Sequence, residues 1–179
     1  MPFSNFGLNP SLLLGVRDLG FTRPTPIQTE SIPPALLGRD VLACAMTGSG
    51  KTAAFSLPIL HKLLEHPKRG VTRVLVLSPT RELAQQISDH AKELAKHTPL
   101  RTAAVYGGVS MGPQERAFQT GVDFLVATPG RLLDHFERGR LLLTGVELLV
   151  IDEADRMLDM GFIPDIERIC KLLPPRRQT

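Results

Sequence analysis

Five short apolar runs punctuate the chain: residues 41–45 (VLACA), Val74–Leu77, Thr102–Val105, Phe124–Ala127 and Leu148–Ile151. They are apolar nearly throughout rather than alternating. That is the pattern of strands buried on both faces. Between them the period changes. Leu83, Ile87, Ala91, Leu94 and Ala95 recur at helical spacing and share one face. Strand–helix alternation of this kind predicts an α/β fold built on a parallel sheet. Residues 1–35 differ. They are rich in Pro and read as short helices and turns ahead of the first core strand, with residues 36–179 forming the core domain. Repeats, low-complexity tracts and internal linkers are absent.

Three of the apolar runs end alike. The first leads into MTGSGKT, the second into SPTREL and the fourth into TPGRLL. Thr80 and Thr128 read as helix N-caps, and Pro79 and Pro129 as first-turn residues, where no backbone donor is needed. In a parallel sheet such helix starts share the edge at the carboxyl ends of the strands. Their free N–H groups and positive dipole ends suit phosphate. Taken singly, the SPTREL and TPGRLL segments read as ordinary capped helices, and it is the P-loop beside them that changes this.

The first segment does not read so. Ala45, Met46, Thr47, Gly48, Ser49, Gly50, Lys51 and Thr52 form a P-loop, with Ala45 where the pattern usually has Gly. Gly48 and Gly50 let the backbone curl so that its N–H groups face phosphates. Lys51 is expected to reach the β- and γ-phosphates of a nucleotide, and Thr52 to offer its hydroxyl to Mg²⁺. The run Leu148–Ile151 then delivers two carboxylates, Asp152 and Glu153. Asp152 is expected to hold Mg²⁺ through water, and Glu153 to orient or deprotonate the attacking water.

Composition narrows the picture modestly. At 179 residues with 42% hydrophobic content, the chain suits one domain with a sizeable core. No apolar run is long enough for a membrane span, and residues 1–10 do not read as a signal peptide. Two isolated cysteines, Cys44 and Cys170, fit a reducing cytoplasm, and the five scattered histidines read as solvated surface. A net charge of +3 permits a polyanionic partner without requiring one. Trp is absent and Tyr106 is the sole tyrosine, so a base-stacking platform is poorly supplied. Nucleic acid, if bound, would be held by its backbone.

Asp152-Glu153-Ala154-Asp155 spells the box after which the DEAD-box RNA helicases are named, and the remaining motifs match that family in order. Gly20 to Gln28 (GFTRPTPIQ) resembles its Q motif, with Phe3 matching an isolated upstream aromatic. Pro79-Thr80-Arg81-Glu82-Leu83-Ala84 resembles motif Ia, Gly107-Gly108 the GG element, and Thr128-Pro129-Gly130-Arg131 motif Ib. Ala at the first P-loop position is also what this family shows. The resemblance runs from Phe3 to Thr179.

It implies a RecA-like P-loop NTPase domain with helices on both sheet faces, ATP and Mg²⁺ as cofactors, and RNA as partner. Gln28 would read the adenine edge, within a nucleotide site that also takes in Phe21, Arg23 and residues 45–52. Phe21 or Phe3 would pack near the base, or else into the core. Lys51, Asp152 and Glu153 would serve catalysis, and Thr52 and Asp152 would hold the metal. Pro79, Thr80, Arg81, Gly107, Gly108, Thr128, Gly130 and Arg131 would form the RNA interface, on the sugar-phosphate backbone and with little sequence preference. The family pattern continues beyond Thr179 with a Ser-Ala-Thr motif and a second RecA-like domain carrying arginine fingers. The 179 residues alone are therefore expected to be nearly inactive. They are also expected to leave a slot in the sheet between residues 41–45 and Leu148–Ile151.

The function implied is ATP binding and hydrolysis coupled to RNA binding and local duplex unwinding. An ATP-gated RNA clamp without unwinding uses the same motifs. A DNA translocase is disfavoured by Gln28 and the DEAD box. A P-loop ATPase that never meets nucleic acid leaves motifs Ia, GG and Ib without a reason.

Overall fold

The computed structural model describes residues 1–179. It contains eight α-helices, one short 3-10 helix and four strands. These fall into two compact units. The first comprises Met1–Lys68, Asp89–Leu100 and Gln178–Thr179; the second comprises Arg69–Ser88 and Arg101–Arg177.

The first unit is helical. The 3-10 helix Phe3–Phe6 is followed by α1 (Pro10–Asp18), α2 (Pro26–Leu36) and α3 (Lys51–Glu65), and the last turns of α4 (Arg81–Leu94) complete it. Pro residues open α1 and α2, as first-turn prolines should. Asn9 caps α1: its Oδ1 accepts from Ser11 N–H at 3.0 Å. The Asn9 N–H in turn donates to His61 Nδ1 on α3 at 3.0 Å. Leu12, Ile32, Leu57, Leu60, Leu63 and Leu94 are fully buried. Gly15 marks the tightest approach. A Cβ there would overlap the backbone carbonyl of Leu94, so α1 and the end of α4 can meet only because residue 15 has no side chain.

The second unit carries the sheet. Strands β1 (Val74–Leu77), β2 (Thr102–Val105), β3 (Phe124–Ala127) and β4 (Leu148–Ile151) are ordered β2-β3-β1-β4, and every pairing is parallel. The inner strands β1 and β3 are buried at every position. The edge strands are not: β2 is buried only at Val105, and β4 loses cover toward Val150 and Ile151. Continuous apolarity thus marked the inner strands correctly and overstated the cover of the outer two. Helices α5 (Met111–Thr120), α6 (Pro129–Glu137), α7 (Ala154–Asp159) and α8 (Ile163–Leu172) follow the strands, and α6 packs against α8. Leu125, Leu132, Val146, Met157 and Ile169 belong to the apolar core of this unit. At the amino ends of the strands, buried Arg73 forms an ion pair with Glu147 at 2.8 Å. The parallel α/β, RecA-like class expected from the sequence is the class observed.

Residues 41–45 do not form the expected strand. Val41 N–H donates to Thr179 O at 3.1 Å, and Thr179 N–H to Asp40 Oδ1 at 2.8 Å, but no ladder follows. Leu42 is 95% exposed, and Cys44 is exposed as well. A strand needs a neighbour to satisfy its N–H and C=O groups. Without one the apolar run remains irregular and uncovered. The ladder from residues 41–45 to β4 that would have closed the expected slot is absent, and β4 stands at the edge of the sheet. No helix is long and apolar enough to cross a membrane.

Candidate functional site

In the first unit the P-loop leads directly into α3. Ser49 N–H donates to Met46 O at 3.2 Å, closing a turn. Gly48 and Gly50 adopt left-handed φ values of 80° and 87°. Gly50 is the N-cap of α3, and its carbonyl accepts from Ala54 N–H at 3.1 Å. That carbonyl also accepts from Gln28 Nε2 at 3.1 Å, while Gln28 Oε1 accepts from Thr25 N–H at 2.9 Å. Gln28 is buried, and a Cβ on residue 50 would lie 2.5 Å from its Nε2. The Q-motif amide therefore grips the P-loop and the start of α2 at once. An amide oxygen has two lone pairs and its NH₂ two hydrogens, so capacity for a further partner remains.

These residues fit a nucleotide phosphate and its Mg²⁺. The positive end of a 15-residue helix opens at Lys51 and Thr52. Ser49 Oγ, two residues before Lys51, is buried with no hydrogen-bond partner. Ala45 is half-buried, while Met46 and Thr47 are exposed. Among the Q-motif residues, Arg23 is exposed and Phe21 half-buried. Phe3 is buried, edge-on to Phe6 and stacked on Phe21 with ring centres 6.5 Å apart. Phe21 in turn lies 5.8 Å from the ring of His90. Phe3 is thus the more enclosed of the two rings, and Phe21 the less.

In the second unit the order β2-β3-β1-β4 sets four carboxyl ends in a row. They carry, in turn, Gly107-Gly108, Thr128 to Arg131, Ser78 to Arg81, and Asp152-Glu153. Thr80 caps α4, its Oγ1 accepting from Leu83 N–H at 3.2 Å. Pro79 stands one residue before that cap, not inside the first turn as the sequence suggested. Thr128 is the N-cap of α6 without a side-chain bond, and Pro129 opens the helix as expected. Arg81 Nε bonds Glu82 Oε1 at 2.8 Å, which holds the Glu82 carboxyl below its ordinary range. A Cβ on Gly108 would lie 3.3 Å from Arg81 Nη1. Arg131 Nη2 donates to Val109 O at 2.9 Å. Motifs Ia, GG and Ib, separate in sequence, are therefore neighbours in this unit, with Gly107, Gly108 and Gly130 exposed.

Asp152 continues β4, its N–H donating to Leu77 O at 3.0 Å. Glu153 caps α7 with φ 54°, making it the one non-glycine residue in the left-handed region. Side chains resist that region, and such departures gather at functional sites.

The comparisons with known proteins agree with this geometry. The DEAD/DEAH box helicase family model matches residues 25–179. The chain belongs to that family. It is 53% identical over 179 residues to the ATP-dependent RNA helicase SrmB of Escherichia coli (strain K12), covering 99% of this chain and 40% of that protein. It is 49% identical over 178 residues to the ATP-dependent RNA helicase DeaD of the same organism, covering 99% of this chain and 28% of that one. Over 180 residues it is 50% identical to the DEAD-box ATP-dependent RNA helicase 40 of Oryza sativa subsp. japonica, again covering 99% of this chain but 23% of that protein. The chain thus spans well under half the length of these helicases.

Two residues of this helicase domain escaped the sequence reading. His135, taken as solvated surface, is fully buried and lies 2.8 Å from Gln114 Oε1. Burial, with the nearby positive charge of Arg131, pushes its pKa below the ordinary histidine value. His90 is likewise pushed down by burial. Only the position of His135 on α6, at i+3 from buried Leu132, carried a hint of this.

Proposed function

We propose that this chain is the ATP-binding, RNA-contacting domain of an ATP-dependent RNA helicase. In the longer protein, ATP binding and hydrolysis would be coupled to RNA binding and local duplex unwinding. Residues 1–35 form its Q-motif region and residues 36–179 the RecA-like ATP-binding domain proper, with a second RecA-like domain as its working partner. Lys51 and the backbone of residues 45–52 hold the phosphates, Thr52 and Asp152 hold Mg²⁺, and Gln28, with Phe21 and Arg23 nearby, selects adenine. When bound, ATP supplies the phosphoryl group and Mg²⁺ the neutralising charge that its transfer requires. Glu153 orients the attacking water and accepts its proton. The cytoplasm is the matching compartment.

The observation that carries the RNA assignment is the row of strand ends in the second unit. Thr80, Arg81, Gly107, Gly108, Thr128, Gly130 and Arg131, with Pro79 beside them, share one edge of the sheet. Cations and helix starts there favour phosphate over base edges. A nucleotide-only ATPase would have no use for that row. The test is fluorescence anisotropy with single-stranded RNA at several salt concentrations. Arg81→Ala with Arg131→Ala should weaken binding alike for all sequences and reduce the salt slope by roughly one to two. An unchanged slope in the double variant would place the RNA elsewhere.

A further inference from the structure

The segment from Tyr106 to Ser110, which contains Gly107 and Gly108, lies between β2 and α5 and is exposed along most of its length. Three helices hold it by side chains. From α4, Gln85 Oε1 accepts from the Tyr106 hydroxyl at 2.9 Å. From α6, Arg131 Nη2 donates to Val109 O at 2.9 Å. From α5, Gln114 Nε2 donates to Tyr106 O at 3.1 Å. Only the last bond is made by a buried side chain, and it is backed by a second buried polar group, His135.

The bonding in this relay is determined throughout. A carbonyl oxygen only accepts, so the Gln114 amide must present its NH₂ to Tyr106 and its Oε1 to His135. His135 Nε2 must then carry the proton and donate. Nδ1 of the neutral ring is left bare, and it is buried without a partner. The edge of Phe118 against the imidazole, with ring centres 5.0 Å apart and planes at 84°, fixes the ring further. Two leucines would fill this volume without the desolvation penalty of an amide and an imidazole. What leucines could not do is hold the Tyr106 carbonyl.

We propose that Gln114 and His135 are positioning residues for RNA: a buried relay from α6 through α5 that fixes the Gly107-Gly108 backbone where the strand is held. The proposal rests on the RNA reading above and deepens it. His135 acts through Gln114, and Gln114 through the Tyr106 carbonyl, so neither needs to touch RNA.

The experiment compares Gln114→Leu, His135→Phe and His135→Gln with the unaltered chain in two measurements. Amide hydrogen exchange of the 106–113 segment is followed without RNA, and anisotropy is followed with a labelled single-stranded oligouridine. Gln114→Leu and His135→Phe are expected to speed exchange at residues 107–110 by about tenfold. The same two should weaken oligouridine binding by a factor of about five. His135→Gln, whose amide nitrogen reaches the place of Nε2, should restore both to within about twofold of the unaltered chain. Slow exchange retained in Gln114→Leu overturns the proposal, and that variant serves even if His135→Phe does not fold. Failure of His135→Gln to restore what His135→Phe loses also overturns it. Faster loop exchange with unchanged oligouridine binding refutes the role toward RNA. If Arg81→Ala then also leaves binding unchanged, the RNA reading itself has failed rather than the relay alone.

Discussion

At the scale of single residues, the Q motif shows how one side chain can hold two duties. Gln28 supports Gly50 through Nε2 and the α2 start through Oε1. Gln28→Ala should therefore weaken every nucleotide somewhat and ATP most. Calorimetric titration with ATP and GTP checks this: an unchanged ratio of the two affinities removes the adenine-reading role. Glu153 sits at φ 54° at the end of β4. Glu153→Gln preserves size and hydrogen bonding but cannot accept a proton, so the longer enzyme should bind ATP and lose turnover. Steady-state phosphate release measures it, and a normal rate excludes Glu153 as the base. His135 and His90 titrate below the ordinary histidine value of 6.5 in the folded chain. The unfolded chain thus takes up their protons first as pH falls, so stability should be full above about 6.5 and decline below it. Urea midpoints between pH 8 and 5 follow this. His135→Gln should flatten part of the decline, and an unchanged profile in that variant contradicts the burial of a neutral imidazole.

At the scale of elements, legibility followed locality. The P-loop, the Asp152-Glu153 pair and the TPGR segment were readable because each is a contiguous run at the start of a helix. The inner strands β1 and β3 were readable because burial on both faces leaves no polar positions. The run at 41–45 looked the same, yet strandedness is a property of a pair, and no partner ladder accompanies it. The Gln114–His135 contact joins residues 21 positions apart across two helices, and no local pattern announces such a bond. Close approach is equally silent in sequence. Nothing in the sequence around Gly15 signals that the Leu94 carbonyl lies where its Cβ would be. Gly15→Ala, which raises helix propensity, should nevertheless destabilise the chain by about 1–3 kcal/mol because neither backbone can yield cheaply. Thermal unfolding decides the sign, and a raised midpoint would mean that α1 and α4 are free to part.

Across the whole molecule, the two compact units divide the motifs between them. The Q motif and P-loop belong to the first, and the DEAD box with motifs Ia, GG and Ib to the second. Arginine fingers, where they complete an NTPase site, contribute roughly 10³–10⁵ in rate, and the second RecA-like domain proposed above would supply them. No arginine among these 179 residues lies in such a motif, so the chain by itself should hydrolyse ATP at background rates, with or without RNA. Nucleotide binding is a different matter, since the residues proposed to hold the phosphates are present. The most direct measurement is calorimetric titration of the chain with MgATP, alongside MgGTP and MgUTP and alongside Lys51→Ala. Weak but saturable binding of one ATP per chain is expected, stronger than for the other nucleotides and lost in Lys51→Ala. Binding that survives Lys51→Ala, or no preference for ATP, would contradict the assignment of this chain as an ATP-binding helicase domain.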